Sequence, residues 1–325
     1  MRSAITSLEP LRAVEGGRVT LHGSNFPVDD LPGITVGGAA ARVAFASSRR
    51  LSFFVPSGVS GARLPVRIDD LTGGTAFVSV GECWATGLHQ VDNPVFDAQG
   101  NLYVTYSGAR GQEAPVSVFR VTPEGTREPF ASGIVNTTSM TWAPDGHLYV
   151  TSRFEGAVYR IGADGTHEVV AGDLGVACGL VVDPDGWMYV GDRTGTIFRV
   201  RDGKATAFAT LPPSVAAFHI AMSPSGDLYV AAPTLSSFDN IYRIGRHGDV
   251  TPLPHTFGRP QGLAFAPDGT LHVVEALAGA SGVYRLTSDD ASPELVVSGP
   301  ALVGVAFGPA GTLVVVSNES AYRFD

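Results

Sequence analysis

Three polar residues in the second half of the chain have side chains that can carry acid–base chemistry: Asp192, His219 and Glu275. An imidazole with two carboxylates can bind a transition metal. It can also supply a general acid and a general base where burial moves the pKa values of two such groups apart. The alternative is structural, because Asp192 and Glu275 could instead pair with Arg193 or Arg153 as rim salt bridges, which contribute little individually. We take the three residues as catalytic candidates.

The cysteines offer a second kind of chemistry. Cys178 near a histidine could act as a nucleophile, but a cysteine in an inner strand is more often a small buried hydrophobe. Cys83 falls on a strand that we expect to lie outermost, too far from Cys178 for a disulfide. Two cysteines indicate neither an oxidising nor a reducing compartment.

These residues belong to a repeated unit that must position them. A strand, a tight turn ending in glycine and a second alternating strand recur six times, with the turn glycines 46, 40, 40, 43 and 42 residues apart: Gly100, Gly146, Gly186, Gly226, Gly269 and Gly311. A third strand with an aromatic–arginine pair follows each time, and then a fourth strand. Four strands per repeat predict an all-β chain with a six-bladed β-propeller over residues 82–325.

The last repeat ends after its third strand. The segment ECWATG at 82–87 matches EPFASG at 128–133, the fourth strand of the first repeat. We therefore predict that a strand near residues 82–88 closes the last blade, which removes exposed sheet edges.

Comparison among the repeats separates scaffold from site. The aromatic–arginine pairs and the Asp-Gly turns recur, so they are scaffold. Two positions vary, eight residues before the turn glycine and six after it, and a hairpin brings both to one mouth. Polar groups that converge there predict a ligand site. With their neighbours, the expected ligand-binding residues are Asp92, Asn93, Tyr106, Arg153, Arg193, Cys178, Gln261 and Asn318.

Residues 1–81 lie outside the repeat. Short alternating strands separated by glycine turns predict a small β-sandwich of immunoglobulin type. The run from Gly16 to Phe26 resembles the opening of IPT/TIG domains, and Val36-Gly37-Gly38, Val55-Pro56-Ser57-Gly58 and Gly73-Gly74 follow in the order that those domains have. The resemblance implies an Ig-like spacer, interaction module or propeller partner without catalytic residues.

The repeats carry a second resemblance. The phrases at 178–186 and 261–269 resemble the SMP-30/gluconolactonase family and NHL-type propellers over about residues 83–325. That resemblance implies a central divalent metal held by one Glu, two Asn and one Asp. The Glu falls on Asp92, one Asn on Cys178 and the Asp on Phe218, while the other Asn has no clear match. Only Asp92 can supply oxygen, so we expect the usual calcium site to be absent.

Composition limits the partners. With 22 Lys and Arg against 31 Asp and Glu, the net charge is −9, and the absence of a basic run argues against nucleic acid. No apolar stretch predicts a membrane span. The start has no signal-peptide core, so the compartment stays open: cytoplasmic, or secreted with a leader removed. We expect a monomer.

Two functions follow from these observations. The first is a propeller that binds a small polar molecule in its central funnel, as a lactone hydrolase or lyase with Asp92, His219 and Glu275 as working groups and with a divalent metal as an option. The second is a non-catalytic module that binds a glycan, peptide or protein. Most positions matched to the family's metal ligands carry residues that cannot bind calcium, which favours the second function. The polar residues at the mouth differ from blade to blade, which keeps the first function open.

Overall fold

The computed structural model describes residues 4–28, 33–69, 75–277 and 279–324. Gly73-Gly74 of the IPT/TIG resemblance lies outside these residues. The N-terminal region contains the strands β1 (Ala4–Glu9), β2 (Arg12–Ala13), β3 (Arg18–Ser24), β4 (Ile34–Val36), β5 (Ala39–Ala46), β6 (Arg50–Phe54), β7 (Gly61–Ile68) and β8 (Ala76–Val80).

These first strands enclose one apolar core. Along β3, Val19 and Leu21 are fully buried and Arg18 is exposed. This alternation is typical of a strand that turns one face inward. β5 pairs with β6 at one edge and with β4 at the other, so the strands wrap around side chains such as Phe53 and Val66. This is the predicted Ig-like sandwich.

The repeats form the rest of the chain. Their strands are β9 (Glu82–Thr86), β10 (Val95–Phe96), β11 (Leu102–Thr105), β12 (Val118–Val121), β13 (Arg127–Ala131), β14 (Thr137–Trp142), β15 (Leu148–Ser152), β16 (Ala157–Ile161), β17 (His167–Ala171), β18 (Ala177–Val182), β19 (Met188–Asp192), β20 (Thr196–Arg201), β21 (Lys204–Thr210), β22 (His219–Met222), β23 (Leu228–Ala231), β24 (Asp239–Ile244), β25 (Val250–Phe257), β26 (Pro260–Phe265), β27 (Leu271–Glu275), β28 (Gly282–Leu286), β29 (Glu294–Ser298), β30 (Leu302–Phe307), β31 (Leu313–Ser317) and β32 (Ser320–Phe324). A short 3-10 helix spans Pro309–Gly311, and no described helix has the length and apolarity to cross a membrane.

The propeller arrangement is confirmed, but the prediction of six separate blades is wrong. Within the described residues, five blades are separate four-stranded sheets: β10–β13, β14–β17, β18–β21, β22–β25 and β30–β32 with β9. The strands β26–β29 pair in the same order at the end of a 12-stranded sheet. The cause is β2, which pairs in parallel with β8 on one side and β29 on the other and so joins this repeat to the N-terminal region.

The predicted closing strand is confirmed. β9 pairs antiparallel with β32, and Ala85 lies opposite Ala321 and Cys83 opposite Tyr322. A segment that precedes all the repeats in the chain therefore completes the last sheet. β32 is therefore paired on both sides instead of forming an open edge.

The innermost strands lie very close to one another. β10, β14, β18, β22, β26 and β30 contact each other in that order, and β30 contacts β10. A Cβ atom on Gly304 would lie 2.5 Å from the backbone oxygen of Asp92, and one on Gly262 would lie 2.7 Å from that of Val303. These two positions need glycine because the neighbouring backbone occupies the space of a side chain.

The aromatic–arginine pairs act as scaffold through their side chains. Arg199 stacks 3.8 Å from the ring of Trp187. The other five arginines form ion pairs, four of them with a residue of a neighbouring strand and that of Arg243 with the turn before β29: Arg120–Glu128, Arg160–Glu168, Arg285–Glu294, Arg323–Glu82 and Arg243–Asp289. The turn aspartates also act locally, since Asp268 accepts hydrogen bonds from the backbone and hydroxyl of Thr270.

Candidate ligand-binding site at the centre of the propeller

A hydrogen bond crosses the centre of the ring. Asp92 precedes β10 and His219 begins β22, and two inner strands separate β10 from β22 in either direction around the circle. His219 Nδ1 and Asp92 Oδ1 are 2.7 Å apart. The two residues are 0% and 2% exposed. The same Oδ1 accepts the backbone N–H of Asn93 at 2.7 Å, which fixes the carboxylate.

The other ring nitrogen of His219 is Nε2. It is buried and makes no hydrogen bond with any residue that the structure describes. Nδ1 faces the carboxylate and donates to it, which leaves Nε2 as the ring atom that can meet a further polar group. A buried polar atom without a protein partner is uncommon in folded proteins, and either a water or a polar group of a ligand can pair with it.

Three amides hold the segment around Asp92. Asn93 donates through Nδ2 to Leu263 O at 2.7 Å and accepts through Oδ1 from Val305 N at 2.9 Å, which ties β26 to β30. Asn318 donates to Gln90 O at 2.9 Å, and Gln90 donates to Asp92 O at 2.7 Å. The amides of Asn93 and Asn318, expected to bind ligand, are therefore engaged with backbone groups. Gln90 was not predicted, and its sequence signal is a buried polar residue just before an inner strand.

Asp192 and Glu275 have no described contact with Asp92 or His219. Asp192 Oδ1 accepts the backbone N–H of Val176 at 2.8 Å, and its other oxygen accepts the hydroxyl of Thr194. Its carboxylate thus closes the turn after β19. Glu275 ends β27 and is 7% exposed. Burial raises the pKa of Glu275 and a hydrogen bond from the backbone of Gly258 opposes the rise.

The predicted rim salt bridges are also absent. Among the residues that the structure describes, neither Asp192 nor Glu275 forms an ion pair with Arg153 or Arg193. The predicted convergence of the three catalytic candidates stays a prediction for Asp192 and Glu275. His219 is in contact with Asp92.

Cys178 lies in an apolar core rather than on the mouth. It is 1% exposed and packs in a cluster that includes Phe218 and Ile220. Burial raises the pKa of the thiol to about 11, and the charges of Arg153 and Arg193 oppose the rise only in part. A protonated, enclosed thiol is a poor nucleophile. The burial and packing of Cys178 therefore favour the small-hydrophobe alternative, and its role in ligand binding stays a prediction.

Six of the expected ligand-binding residues keep accessible side chains: Asn93, Tyr106, Arg153, Arg193, Gln261 and Asn318. Tyr106 is half-buried against His89, with ring centroids 5.8 Å apart. Arg153 is half-buried and Arg193 is exposed. Burial lowers the pKa of His89 and the charge of Arg153 lowers it further, so this guanidinium lies near the His89 ring.

The residues present do not fit the calcium site that the family resemblance implies. In the described parts of the chain, no three His, Cys, Asp or Glu side chains are grouped so that they could hold a metal ion. Asp92 is the one oxygen ligand at the matched positions, and its Oδ1 already accepts two hydrogen bonds. A hard cation needs six or more oxygens.

Family comparisons match two parts of the chain. Residues 3–79 match the IPT/TIG domain, and residues 179–200 match the family described as strictosidine synthase-like, N-terminal. A comparison with curated proteins finds no match.

Solved structures with the same fold include three informative propellers. An auxiliary nutrient binding protein from Bacteroides thetaiotaomicron has 14% identity and a TM-score of 0.59, with 100% of this chain and 98% of that chain covered. A putative gluconolactonase has 19% identity and a TM-score of 0.60, with 75% and 90% covered. A catalytically inactive histidine-to-alanine variant of virginiamycin B lyase from Staphylococcus aureus, with quinupristin, has 16% identity and a TM-score of 0.55, with 94% and 98% covered. This chain is therefore a propeller similar to those of gluconolactonase-like, lyase and nutrient-binding proteins, preceded by an IPT/TIG match.

Proposed function

We propose that this protein binds a small polar molecule in the central mouth of its propeller. The observation that carries the proposal is the buried Asp92–His219 pair, which joins opposite sides of the ring at 2.7 Å while Nε2 of His219 has no partner. An unpaired buried polar atom costs about 1–3 kcal/mol. A hydrogen bond from a ligand would remove that cost.

The surroundings of the pair favour a small ligand. Asp92 and His219 are joined across the ring, and Tyr106, Arg153 and Gln261, which the repeat positions assign to the same mouth, keep partly exposed side chains. A few polar groups at one place suit a compact molecule. The description of one full-length neighbour as a nutrient binding protein and of another as holding quinupristin adds support.

The experiment is a thermal-shift screen with simple sugars, sugar acids, amino acids and lactones. A bound molecule raises the melting temperature by mass action. We expect a stabilising compound whose effect is lost in Tyr106→Ala and Gln261→Ala. Gln99→Ala, on an exposed turn, is the matched control and should respond like the wild type. Equal responses in all three variants would place the ligand elsewhere and overturn the proposal.

A second candidate is acid–base catalysis at the same pair. Asp92 would orient the ring of His219, and Nε2 would take a proton from water attacking a lactone or from a substrate carbon in a lyase reaction. The unpartnered Nε2 favours this candidate. Turnover of a lactone or cyclic depsipeptide that is lost in His219→Gln, with binding retained, would support it. Binding without turnover by the wild type would leave the binding function alone.

A further inference from the structure

We propose that the cleft between the N-terminal region and the fifth repeat, β26–β29, binds an organic acid with an apolar body. The acid group lies at Arg18, and the apolar body lies in a small cavity beside it. The inference goes beyond the proposed function because it concerns a second site. Neither Asp92 nor His219 lines the cavities of this cleft.

Two contiguous cavities lie in the cleft. The larger has a volume of about 990 Å³ and the smaller a volume of about 490 Å³. Arg18, Tyr284 and Leu295 line both of them, so these residues mark the place where one cavity meets the other. Ligand pockets have volumes of about 300–1,000 Å³ and occur preferentially where two domains meet. One molecule can therefore reach from the larger cavity into the smaller one.

Main-chain hydrogen bonds join the two walls of the cleft. β2 pairs in parallel with β8 on one side and with β29 on the other, and Val14 N donates to Ser298 O at 2.9 Å. The wall formed by the N-terminal strands is thus tied to the wall formed by β28 and β29. A site whose walls are already held in place loses less free energy to ordering when a ligand binds.

The smaller cavity suits an apolar group. Carbon-rich side chains form much of its lining, among them Phe54, Leu295 and Pro300. Two of its hydroxyls are already used by the protein, because Ser281 Oγ donates to Leu277 O at 2.8 Å and the Tyr284 hydroxyl donates to Ala280 O at 2.7 Å. Apolar ligand surface buried here contributes about 25 cal/mol per Å².

The larger cavity is covered by a polar sheet face. Thr20 on β3 lies opposite Ser52 on β6, and their hydroxyls are 2.9 Å apart, so both point to the same face. Arg18 and His22, two residues before and after Thr20, share that face because side chains alternate along a strand. Arg50 lies directly opposite His22. The face that β3 and β6 present to the fifth repeat is therefore rich in basic side chains.

The charges that line the larger cavity are mainly positive. They comprise four arginines and two glutamates: Arg12, Arg18, Arg50, Arg285, Glu9 and Glu294. Both carboxylates are paired, Glu294 with Arg285 at 2.6 Å and Glu9 with His22 at 2.7 Å. On a chain with a net charge of −9, this cavity is a local concentration of positive charge, which attracts anions.

Arg18 connects the charged cavity to the apolar one. Burial and the charge of Glu275 raise the pKa of Tyr284 to about 12, and the charge of Arg18 opposes the rise, so this guanidinium lies near the Tyr284 ring. Arg18 forms no ion pair with a described residue and is available to a ligand. A planar guanidinium binds a carboxylate through two parallel hydrogen bonds. A carboxylate held there leaves the rest of its molecule beside the smaller cavity.

The experiment measures the binding of matched probes by titration calorimetry. The probes are octanoate, its neutral amide octanamide, and acetate, which has the charge without the chain. The proteins are the wild type, Arg18→Gln, Arg18→Lys and Ala280→Leu, whose larger side chain fills part of the smaller cavity. Arg49→Gln removes the same charge from an exposed position outside both cavities and is the control. Tyr106→Ala, a variant of the central mouth, separates the two sites.

We expect the wild type to bind octanoate about tenfold more tightly than octanamide, and acetate more than about a hundredfold more weakly than octanoate. Arg18→Gln should remove the preference for the acid, and Arg18→Lys should keep most of it because the charge remains. Ala280→Leu should weaken the acid and the amide alike, each about tenfold. Arg49→Gln and Tyr106→Ala should bind all probes like the wild type.

Three results would overturn the inference: no binding of octanoate to the wild type, equal affinity for acid and amide, or equal weakening in Arg49→Gln and Arg18→Gln. Loss of octanoate binding in Tyr106→Ala with full binding in Arg18→Gln would also overturn it, because the acid would then bind in the central mouth. The thermal-shift screen tests the mouth with its own variants, so the proposed function can stand or fall independently.

Discussion

Asp92 and His219 are 127 residues apart in the chain, and a 2.7 Å hydrogen bond joins them across the centre of the propeller. Opposite inner strands of a ring are normally linked only through the blades between them. Here a single side-chain contact links β10 directly to β22, so the geometry of the mouth depends on both halves of the repeat array.

The first prediction concerns this bond. Asp92 and His219 are buried, so substitution will not be neutral. We expect Asp92→Ala and His219→Ala each to lower the free energy of unfolding by about 1–3 kcal/mol, because each leaves a buried partner unpaired. Urea denaturation of both variants and the double variant should reveal a coupling between the two sites. His247→Ala, on an exposed turn, should change stability by less than about 0.5 kcal/mol. Additive losses would contradict the bond.

The second prediction concerns pH. Because burial raises the pKa of Glu275 in the folded protein, the folded state holds that proton more tightly than the unfolded state. The stability that this group contributes is therefore lost as the pH rises from the ordinary glutamate pKa through the raised one. We expect Glu275→Gln to flatten the decline of the unfolding free energy with pH in that window. Urea denaturation between pH 4 and pH 8 measures it, and an unchanged slope would refute the assignment.

The third prediction concerns closure. Deleting residues 1–88 removes β9 and exposes the edge of β32, whereas deleting residues 1–78 retains β9. Both deletions remove β2 and its pairing with β29, so the shorter one also costs stability. We expect melting temperatures to fall from the full chain to the 1–78 deletion and further to the 1–88 deletion. Scanning calorimetry decides, and equal values for the two deletions would exclude closure by β9.

The fourth prediction concerns thiols. Cys83 is exposed and Cys178 is buried, and both are free. Burial raises the pKa of both thiols, to about 11 for Cys178, so neither is activated. We expect a disulfide reagent at pH 8 to modify Cys83 slowly and Cys178 only after unfolding. Cys83→Ser should abolish the reaction of the native protein. Rapid labelling of Cys178 in the native protein would mean that it lines the mouth after all.

The sequence predicts the ring well because each blade repeats the same alternation and the same turn. It also predicts that β9 completes the last blade, because the segment 82–87 matches residues 128–133, the fourth strand of the first repeat. It does not predict that the fifth repeat joins the N-terminal sheet, since β2 is the two residues Arg12–Ala13, too short for an alternating pattern.

The site is predicted only in outline. The spacing of the repeats identifies Asp92 and His219 as mouth residues. It does not predict that they pair, because the pairing depends on the distance between opposite inner strands. Asn93 and Asn318 were expected to bind ligand because a polar side chain beside a mouth looks the same in sequence whether its partner is a ligand or a backbone carbonyl. In the structure both side chains donate to backbone carbonyls, of Leu263 and of Gln90, and their contact with a ligand stays a prediction.

The strand β2 also limits how the propeller can be oriented relative to the N-terminal region. The chain passes from β8 to β9 through Gly81 alone, and β2 holds β29 at a second place on the ring. A domain attached at one point can rotate about it, whereas attachment at two points restricts that rotation. The two attachments together therefore restrict rotation of the propeller relative to the N-terminal region.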